Sequence, residues 1–144
     1  MIEKNYWDQQ VLNAMWQALE EGQLTINHEV DALFDSLESA FPVAGSKIDW
    51  NEVPGSVYLF SQGAKQADFE HFYHANAIRM GLSTPAFYLS DAALSFAIGG
   101  DVGSIGQHLP AILENPEHHY FAAQDFSWCM ALTMEGDLNF GFRP

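Results

Sequence analysis

Apolar residues in the first forty positions recur every three to four places. Between Tyr6 and Glu21 they fall at Trp7, Val11, Leu12, Met15, Trp16 and Leu19, which is the period of an amphipathic helix, and Gly22 supplies a stop. Ile26, Val30, Leu33, Phe34, Leu37 and Phe41 form a second stripe, with Thr25 or Asn27 as N-cap and Pro42 as terminator. Together the two segments predict a helical hairpin. Pro42 to Pro54 reads as irregular, with a short extended piece at Ile48 to Trp50, and Ser56 to Phe60 reads as a buried strand.

From Ala64 to Met80 strong helix formers surround Phe69, Phe72, Tyr73, Ala77 and Met80, and Gly81 stands where a left-handed cap belongs. Pro85 to Leu89 suits a strand, and Ser90 or Asp91 can cap a short helix reaching Ile98. Gly99, Gly100, Gly103 and Gly106 predict a connecting loop, after which Pro110 opens a short helix that Pro116 ends. His118 to Ala123 reads as a strand. Trp128, Met130, Leu132 and Met134 then alternate with Cys129, Ala131 and Thr133, and Glu135-Gly136-Asp137 turns the chain into a last strand, Leu138 to Phe142.

No repeat, low-complexity tract or linker divides residues 1–144, so the expectation is a single α+β domain. Its N-terminal helices are expected on one face of a mainly antiparallel sheet that ends in a C-terminal β-hairpin. A chain of this length can bury a core without disulfides or metals. Eleven Phe, five Tyr and four Trp set it apart from disordered acidic chains, despite a formal net charge of -14.

That charge excludes function classes. The five cations stand singly at Lys4, Lys47, Lys65, Arg79 and Arg143, which leaves no basic patch for direct nucleic-acid binding or for anionic membrane. No apolar run approaches the roughly 18 residues of a membrane span. The segment Met1 to Asp8 has no signal-peptide pattern, and the lone Cys129 cannot form an internal disulfide, so the expected location is the cytoplasm.

Catalytic constellations are weak. Glu70, His71 and His74 lie within one turn of the third helix, but their order matches neither His-Glu-x-x-His nor its inverted form. A metal-binding or hydrolytic enzyme built on this cluster, alone or joined by His119, is one alternative, and a homo-oligomeric interaction module such as a homodimer is another. His118 and His119 are neighbours in a strand and point to opposite faces, so one is expected to turn inward and be hydrogen-bonded. Gly100-x-x-Gly103-x-x-Gly106 lacks both the spacing and the lysine of a phosphate loop. Cys129 is expected to be buried as a small apolar residue. No cofactor is implied.

The charge is more than solubility requires, a magnitude of roughly 2 to 8 being usual for a small domain. Part of it lies on the outer face of the second predicted helix, where Glu29, Asp31, Asp35 and Glu38 have no Lys or Arg one turn away. Repulsion on such a face is relieved by a basic partner.

The C-terminal end of the chain carries a resemblance. Glu117-His118-His119-Tyr120-Phe121, followed by Asp125 to Phe142 with its Asp-x-x-Trp, apolar strand and Glu-Gly-Asp turn, resembles the last strand and hairpin of small acidic bacterial immunity proteins. These belong to polymorphic toxin and contact-dependent growth inhibition systems. The resemblance covers roughly the last 30 residues and implies a non-enzymatic protein that neutralises a cognate toxin domain. The expected partner is a basic nuclease, whose phosphate-holding cleft an acidic surface complements. The expected contact residues are Asp31, Asp35, Glu38, Asp49 and Glu52, with Trp50 as a nearby aromatic anchor.

Overall fold

A computed structural model describes residues 6–91, 93–115 and 117–144. Lys4 and the proposed terminator Pro116 lie outside the described residues. Helix α1 (Tyr6–Glu20) leads into strand β1 (Leu24–Asn27), and α2 (Val30–Ala40) into a small hairpin of β2 (Val43–Ala44) and β3 (Lys47–Ile48). A 3-10 turn (Trp50–Glu52), β4 (Val57–Phe60) and α3 (Lys65–Met80) follow. Strands β5 (Pro85–Ser90) and β6 (Ala97–Asp101) precede the short helices α4 (Val102–Gly106) and α5 (Leu109–Ile112). The chain ends in a meander of β7 (His119–Ala123), β8 (Trp128–Leu132) and β9 (Asp137–Phe142).

Seven strands form one sheet in the order β1-β6-β5-β7-β8-β9-β4, every neighbouring pair antiparallel. This is the α+β class that the chain pattern predicts, and the C-terminal hairpin turns where expected, with Gly136 at φ 95°. Alternation along the central strands separates two cores. Phe121, Met130, Leu138 and Phe140 pack against Val11 and Met15 of α1 and Phe69 and Tyr73 of α3. Tyr120, Ala122, Cys129 and Ala131 point the other way, onto Leu37 of α2, Phe41 just after it, and Ile48 and Val53.

The helices are therefore shared between two faces, and α1 and α2 do not form a hairpin. The cause is β1, the segment between them. Its Leu24 and Thr25 pair with Gly100 and Gly99 of β6, so the chain passes along the sheet edge before α2 starts on the opposite side. The glycines expected in a loop make this pairing possible. A Cβ on Gly99 would lie 2.7 Å from Thr25 Oγ1, and one on Gly100 would lie 2.8 Å from Leu24 Cδ2. Residues 97–101 are thus a strand where a helix end and a loop were expected, and Asp101 caps α4 by accepting from the Ser104 amide at 2.6 Å.

Strand β4 also departs from expectation. It occupies the sheet edge beside β9, with no described strand on its other side, and all four of its side chains are exposed: Val57 39%, Tyr58 55%, Leu59 54% and Phe60 55%. Apolar content alone suggested burial, whereas terminal position in the sheet decides exposure. No described helix is long and apolar enough to cross a membrane.

Candidate functional site: an acidic layer and a groove on the sheet

The layer formed by α2, the β2–β3 hairpin and the 3-10 turn carries all six expected contact residues. Leu33, Phe34 and Leu37 turn α2 towards the sheet, which leaves Asp31, Asp35 and Glu38 exposed on its outer side. Among the described residues the one ion pair involving a lysine or arginine joins Lys47 Nζ to Glu135 Oε1 at 3.0 Å, and it includes none of these three carboxylates. The outer face of α2 thus carries three carboxylates that form no ion pair among the described residues.

Where this layer lifts off the sheet it leaves a groove of about 470 Å³, a volume typical of ligand sites, roughly 300 to 1,000 Å³. Its floor is one cross-strand row, Tyr58–Asn139–Ala131–Tyr120, set by the register of β4, β9, β8 and β7. Its wall is Lys47, Asp49, Trp50 and Asn51. The turn bearing Trp50 closes tightly on the sheet because Gly141 has no side chain. A Cβ there would lie 2.9 Å from Val53 Cγ1 and 3.1 Å from Trp50 Cζ3. Trp50 is also tilted against Phe41, ring centroids 6.1 Å apart.

The polar groups of the groove divide into committed and free. Tyr58 donates its hydroxyl to Asp137 Oδ1 at 2.8 Å, and that hydrogen bond raises the phenol pKa above its ordinary value. The Asp137 amide donates to Thr133 Oγ1 at 3.0 Å, and the Thr133 hydroxyl donates to Asp137 Oδ2 at 3.2 Å. Lys47 is held by Glu135, whose carboxyl it keeps below the usual range. Asp49 precedes the 3-10 turn without capping it through its side chain. Asn139 is only 4% exposed, yet its amide enters none of the side-chain hydrogen bonds among the described residues.

Of the expected contact residues, the structure brings Asp49 and Trp50 into this groove. Glu38 lies across the hairpin, beside Val43, Lys47 and Ile48. Asp35 borders a shallow depression with Asp125 and Arg143. Asp31 and Glu52 are exposed on the same layer but do not line the groove. Tyr58, Tyr120 and Asn139 escaped the sequence reading. A readable signal existed for Asn139, since it alternates with Leu138 and Phe140 and so must share a face with the buried Cys129 and Ala131.

The histidines do not converge. Glu70 is half-buried and His71 and His74 are exposed on α3. His119, 3% exposed, turns inward and meets Tyr88, with the Tyr88 oxygen 2.6 Å from His119 Nδ1. Burial pushes its pKa down to about 4. No group of three or more His, Cys, Asp or Glu among the described residues could hold a metal ion. Cys129 is fully buried, and burial raises its thiol pKa well above the ordinary value. Comparison with protein-family models, curated proteins and solved structures gives no match for this chain.

Proposed function

We propose that this protein is an immunity-type inhibitor that acts in the cytoplasm by binding and neutralising a cognate basic toxin domain, in keeping with the resemblance of its C-terminal end. The observation that carries the reading is the acidic face of α2, where Asp31, Asp35 and Glu38 stand exposed and form no ion pair among the described residues. A basic active-site cleft, shaped to hold phosphates, is the surface such a face complements, and a nuclease is the expected partner. Complementary charge also steers fast encounter, which suits an inhibitor that must reach its toxin before damage accumulates. The exposed edge strand β4 adds apolar contact area on the same molecule.

The test is rescue. Co-expression with the cognate toxin domain is expected to restore growth, and the purified pair is expected to form a stoichiometric complex that weakens as salt rises. Charge reversal of Asp31, Asp35 and Glu38 to Lys is expected to slow association about tenfold or more at low salt. An unchanged association rate removes this face from the interface, and failure of rescue overturns the immunity reading.

A further inference from the structure

The groove between the 3-10 turn and the sheet contains an amide that the described protein residues leave unbonded. Asn139 is 4% exposed, lies on the groove floor, and makes no side-chain hydrogen bond among the described residues. Among the described residues the side-chain polar atoms shut off from solvent without a partner are Ser90 Oγ and Asn115 Oδ1, so the Asn139 amide meets the solvent of the groove and its hydrogen-bonding capacity is open to a ligand. Such a group at the base of an open groove is completed by what enters.

The surrounding chemistry narrows the visitor. Trp50, Tyr58 and Tyr120 supply ring surfaces, and Asp49 and Asp137 supply carboxylates. The groove's one lysine, Lys47, is occupied by Glu135 at 3.0 Å. An anion would meet two carboxylates and, among the described residues lining the groove, no cation but the already paired Lys47. A neutral planar group could use the rings and the amide but would leave Asp49 unanswered. A compact ammonium would answer Asp49 but, being strongly hydrated, gains little from ring surfaces. A guanidinium is flat, donates only, packs on aromatic rings and pairs with carboxylates, so it satisfies Asn139 Oδ1, Asp49 and the rings together.

We infer that this groove is a binding site for an arginine side chain, presented by a protein segment that docks beside the edge strand β4. The inference rests on the reading of the protein as a binder of a basic partner and names the residue that partner inserts. The protein source follows from continuity: Tyr58 belongs both to the groove floor and to β4, whose outer edge no described strand occupies. An extended segment along that edge has side chains of alternating direction, one set of which faces the groove side of the sheet.

The experiment is an NMR titration of the 15N-labelled full chain, reading the Trp50 indole and the Asn139 side-chain amide. The probes are N-acetyl-arginine methylamide, its uncharged citrulline isostere, its lysine counterpart, and the capped peptide Thr-Val-Arg-Val-Thr. Both reporters are expected to shift with the arginine probe, with affinity about tenfold above citrulline and several-fold above lysine. Asp49→Asn, a substitution at a half-buried surface position, is expected to weaken binding by about fivefold or more, and Asn139→Ala to do the same if it folds. The peptide is expected to bind several-fold more tightly than the single-residue probe.

Equal affinity for citrulline, shifts confined to other residues, or no effect of Asp49→Asn would overturn the arginine site. Equal affinity of the peptide and the single-residue probe would overturn the protein source. The two readings fail separately. A salt-dependent toxin complex indifferent to Asp49→Asn leaves the acidic-face proposal standing and removes the groove, whereas arginine binding without toxin rescue does the reverse.

Discussion

His119 offers a direct thermodynamic test of the interior. It is enclosed on the β7 strand beneath the N-terminal end of α3, in contact with the Tyr88 hydroxyl, and burial is the main cause of its pKa falling from 6.5 to about 4. The native state holds the ring neutral, while the unfolded chain protonates it near pH 6.5. Stability from this neutrality is therefore complete above pH 6.5 and is lost as the pH falls towards 4. Applying proton linkage between those two values, the loss from pH 7.5 to pH 4.5 is about 2–3 kcal/mol.

The many carboxylates titrate over part of the same range and change stability by their own amount, so wild type alone is uninformative. The useful comparison is with His119→Gln, whose side-chain oxygen can still accept the Tyr88 hydroxyl and which does not titrate. Urea unfolding followed by tryptophan fluorescence at pH 7.5 and 4.5 gives each protein's change in stability. Wild type is expected to lose about 2–3 kcal/mol more than the variant across that interval. Equal pH dependence in the two proteins would refute the reasoning, because it would mean that His119 binds its proton as readily when folded as when unfolded.

Two other predictions follow from close packing. Gly141→Ala forces its Cβ against the Val53 and Trp50 side chains, which must give way, and urea unfolding should show a loss of about 1–3 kcal/mol. Cys129 should react with Ellman's reagent at a rate set by unfolding, since its sulfur is fully buried and its thiolate disfavoured; fast reaction of the native protein would contradict that burial.

The parts of the fold legible in the sequence are those whose partners are near or whose period is long. The stripes of α1, α2 and α3, and the alternation through β8 and β9 about Gly136, sit close to where they were expected. The misplacements share a cause. Leu24 to Asn27 is too short to declare itself, and it becomes a strand by pairing with residues far along the chain, Ala97 to Gly100. Gly99 and Gly100 have the local character of a loop, and only the close approach of Leu24 and Thr25 makes them strand residues. Ser56 to Phe60 has the composition of a core strand, yet its place at the sheet edge is a property of the whole topology. The candidate site divides in the same way. The α2 acids were readable from a single helix, whereas the groove depends on four strands and a turn, and only Asp49 and Trp50 could be named beforehand.

Strand β4 has a consequence for how copies of the protein treat one another. An uncovered edge bearing Val57, Tyr58, Leu59 and Phe60 is a template on which a second molecule could add its own strand, the first step towards ordered aggregates. Every second molecule also brings a net charge of -14, so two identical edges meet against strong mutual repulsion. A basic partner feels the opposite force at the same edge. The acidity thus acts as a gatekeeper without occupying a single position on the strand: it lets the edge stay open to an unlike molecule while closing it to its own kind.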